Sequence, residues 1–127
     1  MSAFTTTVSI PLDKVVSQII TAVEGGITYW ASTFHHVSSE HEPKERPWYA
    51  DQTLYEGAFD IKVLIHEEHK AGEGIEYHLT REKLQSGLDF LAKNRPARLK
   101  EVLDESGDAD TADEFMQACL FGELIYG

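Results

Sequence analysis

An α+β fold, with about four helices covering one face of a small antiparallel sheet, is what this sequence predicts. Three observations carry it. Apolar residues recur at helical spacing in four separate segments, two short segments alternate instead, and 42% apolar with 10% aromatic residues is the composition of an ordinary globular domain. At 127 residues the chain reads as a single domain, 1–127, large enough to bury a core without cross-links.

Taken in order, residues 5–10 (TTTVSI) are β-branched and weakly alternating, which predicts a short first strand. Pro11 then suits the first turn of a helix, where its missing N–H is not needed. Leu12, Val15, Val16, Ile19, Ile20 and Val23 form one apolar stripe on that helix. Gly25-Gly26 ends or bends it. Beyond the glycines, Ile27, Trp30, Ala31 and Phe34 again fit helical spacing, so a kinked two-part helix is expected.

Residues 38–52 are polar, contain Pro43 and Pro47, and lack a period, so they predict a long loop holding Trp48 and Tyr49. Residues 58–68 alternate, with Phe59, Ile61, Val63 and Ile65 on one face. A turn at residues 70–74 and a second alternating run at 75–79 complete a β-hairpin. Thr80 is a good helix cap, Glu82 falls in the first turn, and Leu84, Gly87, Leu88 and Leu91 give a stripe to about Asn94. Pro96 interrupts, a shorter helix follows over about 97–105, and Ser106-Gly107 breaks it. The final helix starts near Thr111 and shows Ala112, Phe115, Met116, Cys119 and Leu120 at helical spacing.

Charge is unevenly placed. The net charge is −11, yet residues 101–127 alone hold eight acidic residues and no Lys or Arg. Such a block repels nucleic acid and anionic membrane and attracts basic surfaces. Its densest part is GDADTADEF, residues 107–115. A calcium loop there needs glycine at its sixth position and glutamate at its twelfth; counting from Asp104 these are Ala109 and Phe115. A helix start fits better, with Asp108 or Asp110 as the cap and Asp113 and Glu114 at the positive end of the dipole.

No other catalytic pattern emerges. The six histidines are scattered, and His66-Glu-Glu-His69 lacks the i, i+4 pair that places two imidazoles on one metal. His66 and His78 could face each other across the hairpin, but two ligands do not make a site. Cys119 lies on an apolar stripe, which marks an inert buried thiol, and a single cysteine asks for no oxidising compartment. No nucleophile elbow, phosphate loop or dinucleotide fingerprint is present. Neither a catalytic residue, a metal ligand nor a cofactor is assigned. No basic-then-apolar leader opens the chain, and no apolar run nears the ~20 residues that cross a bilayer, so a cytoplasmic protein is expected.

Two segments, AVEGGITYW (22–30) and DADTADEFMQACLFGELIYG (108–127), resemble a family of small uncharacterised proteins from tailed phages and prophages. LTREKL (79–84) with Gly87-Leu88 is similar as well. The family brings no catalytic residues; the resemblance implies an accessory phage protein in a bacterial cytoplasm, a setting in which small acidic proteins block host machinery, including defence nucleases, sometimes as mimics of DNA.

The leading expectation is a non-enzymatic protein whose Asp104, Glu105, Asp108, Asp110, Asp113 and Glu114 engage a basic surface on a protein partner, without direct contact to nucleic acid or membrane. A homodimer remains open as a further partner. One alternative is a small-ligand or nucleotide module built on Trp30, Trp48 and Tyr49, although a hydrophobic cluster accounts equally for these aromatics and Trp30 lies on the helical stripe. Another is a metal-dependent hydrolase using histidine or carboxylate groups.

Overall fold

The structure is a computed structural model and describes residues 3–66 and 75–127; the turn expected at residues 70–74, and His69, lie outside them. Its elements are α1 (Leu12–Thr21), a wide π turn (Ala22–Gly26), β1 (Ala31–Ser39), two short 3₁₀ turns (Trp48–Ala50 and Gln52–Glu56), β2 (Phe59–Ile65), β3 (Ile75–Thr80), α2 (Arg81–Asn94), α3 (Pro96–Asp104) and α4 (Ala109–Phe121). Four α-helices and a three-stranded antiparallel sheet, in the order β1-β2-β3, make this an α+β fold.

The third strand is not where the sequence placed it. Residues 5–10 form no strand, and Ala31–Ser39 forms one in place of the second half of a kinked helix. The reason lies in what each segment can bury. Most of residues 3–9 would show both faces to water, since only Ile10 reaches the core. The run ASTFHHVSS, by contrast, has β-branched and aromatic residues that pack on β2 and few strong helix formers. The helical spacing of Ile27 and Trp30 was real in number only: both are buried, but in the turn that feeds β1, where the Trp30 carbonyl accepts a bond from the His66 N–H at 2.8 Å. The expected long loop is likewise shortened by the two 3₁₀ turns. Asp51 organises them, accepting from the N–H groups of Lys44, Glu45 and Thr53; these bonds hold its carboxyl down at about 2.

Central strand β2 alternates as its sequence demands. Phe59, Ile61, Val63 and Ile65 point into the core cluster that also holds Phe115, Met116 and Leu120, while Asp60, Lys62 and Leu64 point out. On that outer face the register aligns His35, Lys62 and His78 across the three strands. His78 therefore faces Lys62 rather than His66, and its ring nitrogens meet Asp60 and Glu76, both at 2.6 Å. The Asp60 bond first, then the Glu76 bond, raise its pKa.

Helix ends follow the expected chemistry. Thr80 caps α2 by accepting from the Lys83 N–H, and Pro96 opens α3 at its first turn rather than merely stopping α2. α3 ends with Glu105 in the left-handed region at φ 57°, and Asp108 caps α4.

The most enclosed element is α4. From Thr111 to Leu120 every residue but Glu114 is buried, because α4 is packed against α1, α2, α3 and β3. Against α2 the approach is close enough to need glycine. A Cβ on Gly87 would lie 2.2 Å from the Cys119 sulfur and 3.1 Å from the Cys119 Cα and N. Burial also pushes the Cys119 thiol up, away from thiolate chemistry. Gly87→Ala should therefore force α2 and α4 apart and lower the free energy of unfolding by about 1–3 kcal/mol, read from urea denaturation followed by circular dichroism.

Candidate functional site

The acidic block of residues 101–127 divides in two once α4 is buried. One part is the turn between α3 and α4, where Asp104, Glu105, Asp108 and Asp110 are all exposed. The turn is held by its own acids. Asp104 Oδ1 accepts from the Ser106 N–H at 2.9 Å, and bonding to Ser106 keeps its carboxyl below the usual range. Asp108 Oδ1 accepts from the N–H groups of Asp110 (3.0 Å) and Thr111 (3.3 Å). The Thr111 hydroxyl closes the capping box by accepting from the Asp108 N–H, and it donates to Glu101. Here the cap that the sequence suggested is Asp108. Lys14 meets Glu105 at 3.1 Å, the one ion pair within this turn among the described residues.

The other part points inward, and here the expectation of six partner-facing acids is corrected. Glu114 is bound by Arg95 and Arg98, both at 2.7 Å, at the α2–α3 junction. Burial alone would raise its pKa, but these two guanidinium groups outweigh burial and hold it low. Asp113, only 8% exposed, faces the turn before β1. Its Oδ1 accepts from the Trp30 indole N–H at 2.7 Å and from the Gln117 amide at 2.9 Å, and its Oδ2 accepts from the Tyr29 hydroxyl. Burial, followed by this bond to Asp113, drives the Tyr29 phenol pKa upward. A buried acid with three donors around it serves the fold, above all by partnering the buried Trp30 indole N–H.

Gln117 extends the network. Four residues after Asp113, it lies on the same face of α4. Its amide also donates to the Tyr126 carbonyl, and its oxygen accepts from the N–H groups of Ile125 (2.7 Å) and Tyr126 (2.8 Å). All four hydrogen bonds available to a glutamine are made. This draws the residues after α4 back over the helix, where Tyr126 stacks on Trp30 at 5.6 Å and Phe121 packs against Trp30 and Tyr77. Sequence reading missed Gln117 and Tyr126 and took Tyr29 as a stacking aromatic rather than a donor to Asp113; the available signal was the four-residue spacing of Asp113 and Gln117 on a helix.

The aromatic set proposed for a ligand does not assemble. Trp30 is 1% exposed and belongs to the core. Trp48 and Tyr49 form a separate cluster, with Trp48 stacked on Phe34 at 5.8 Å and tilted against His36, and the Tyr49 hydroxyl donating to Glu24 at 2.9 Å. Beside Trp48 the loop leaves an open concavity of about 850 Å³, lined by Pro43, Lys44, Glu45, Arg46 and Pro47. Among the described residues no three His, Cys, Asp or Glu side chains stand close enough to hold a metal ion, and no helix is long and apolar enough to cross a membrane.

Compared with known proteins, the chain matches no family model, no curated protein and no solved structure.

Asp113→Asn supplies one oxygen where two received three donors, so at least one donor then meets an amide N–H. Expected is a loss of about 1–3 kcal/mol in urea denaturation, and an unchanged midpoint would show that the carboxylate is not needed there.

Proposed function

We propose that this chain is a non-enzymatic acidic accessory protein of phage type, acting in the bacterial cytoplasm, that engages a basic surface on a host or phage protein through the α3–α4 turn. One observation carries the reading. Asp104, Glu105, Asp108 and Asp110 lie exposed within a short turn whose backbone is fixed by its own caps, with Lys14 paired to Glu105 and Lys100 attracting Asp104 from farther away. Asp104 holds the Ser106 end of the turn, and Asp108 spends Oδ1 on the turn and leaves Oδ2 without a partner among the described residues. Carboxylates held this way lose little entropy on docking with arginine or lysine. Surfaces shaped for nucleic-acid phosphates have the matching charge, which supports a counter-defence inhibitor or DNA mimic as the finer form of the proposal.

Its test begins with capture of partners on the immobilised chain from phage-infected bacteria, followed by binding measurements over a salt series. Affinity should fall steeply with salt, and the triple variant Asp104→Asn, Glu105→Gln, Asp110→Asn should bind about tenfold or more weakly, equivalent to ~1.4 kcal/mol. Binding indifferent to both removes the electrostatic basis.

A second reading rests on the concavity beside Trp48. Lys44 and Arg46 supply cations next to an aromatic face, which suits a small anionic ligand such as a nucleotide. Because Trp30 is enclosed, quenching by added nucleotides should report Trp48. Saturable quenching lost in Arg46→Ala supports this reading, and a linear, unsaturable response ends it.

A further inference from the structure

Residues 3–10 have the makings of a strand and no strand to pair with. Five of the six residues from 5 to 10 are β-branched, and in an extended chain Phe4, Thr6, Val8 and Ile10 share one face. None of these backbone groups makes a hydrogen bond among the described residues. Only Ile10, at the end of the arm, packs on its own body, and residues 3–9 are exposed. A cleft of about 580 Å³ lies between residues 6–10 and Gln85, Leu88, Asp89, Ala92 and Leu99, and Phe4 and Val8 are left exposed.

At the edge of the sheet stands a strand with the opposite need. β1 pairs with β2 alone, so its other edge has no neighbouring strand among the described residues. Natural edge strands discourage pairing with Lys, other charges or Pro. Ala31–Ser39 contains no Lys, Arg, Asp, Glu or Pro, and its Val37 is exposed. Register shifts at its two ends leave Thr33–His36 in regular pairing geometry. The other edge strand, β3, is shorter and carries an exposed Glu76.

Charge selects the occupant. At a net −11, two copies of this chain repel over most of their surfaces, yet neither residues 3–10 nor β1 carries an Asp, Glu, Lys or Arg. Extended at roughly 3.3 Å per residue, residues 4–10 span about 23 Å, which fits along the nine residues of β1. We infer that β1 accepts residues 4–10 of a second copy of this chain as a fourth strand, and that the exchange is reciprocal. Reciprocity closes a two-fold dimer; a one-way exchange would grow without limit.

Sedimentation of the full chain over a wide concentration range tests this. The expected mass is twice 14.3 kDa. Thr6→Pro, which removes an arm N–H, and Val37→Lys, which charges the exposed edge, should each return the chain to a monomer with an unchanged circular dichroism spectrum. In Thr6→Pro, amide hydrogen exchange should also speed up at residues 33–38. A wild-type chain that stays monomeric throughout, a dimer insensitive to either substitution, or assembly continuing past the dimer overturns the inference.

Discussion

Asp113 is a carboxylate placed where little water can serve it, and much of the structure follows from how that is made tolerable. Desolvating such a group costs several kcal/mol unless donors replace the lost solvent. The Trp30 indole, the Tyr29 hydroxyl and the Gln117 amide replace it. Each of these fixes something else in turn. Trp30 sets where the chain enters β1, and Gln117 ties down the backbone at Ile125 and Tyr126. One side chain thus defines the relation between the turn before the sheet, the last helix and the residues that follow it.

The same placement explains how an acidic segment can form a hydrophobic centre. Along α4 the acids are not spread over a solvent face. Asp110 stays out, Asp113 turns into the core, and Glu114 is neutralised between two arginines. Exposed acids remain in and beside the turn that precedes the helix and at Glu123 after it. A count of charge over residues 101–127 overstates the available field, because it cannot separate acids that build the molecule from acids that face away from it.

Where one face of an element meets the core, the sequence could be read directly. β2 alternates, α1 and α2 carry stripes, and Thr80 and Asp108 are caps, all because burial and hydrogen bonding act locally there. β1 escaped because Ile27 and Trp30 are buried by a turn, and four positions in a turn can imitate a helical period. The arm was misread for the reverse reason: β-branched residues favour extended backbone, but a strand also needs a neighbour. Of the candidate site, the turn acids were legible as a cap. The Tyr29, Trp30 and Asp113 node was not, since its members stand more than 80 positions apart and no period connects them.

That separation shapes how the molecule comes together and apart. The bond from Trp30 to Asp113 closes a span of 83 residues, and its carboxylate cannot shed water until every donor has arrived. Local helices and the β2–β3 pairing involve far shorter closures, so loop-closure entropy favours their forming before it. A polar junction completed last adds little to the speed of folding and much to the barrier against escape. On that argument the junction would act as a latch, set late and resisting the first step of loss.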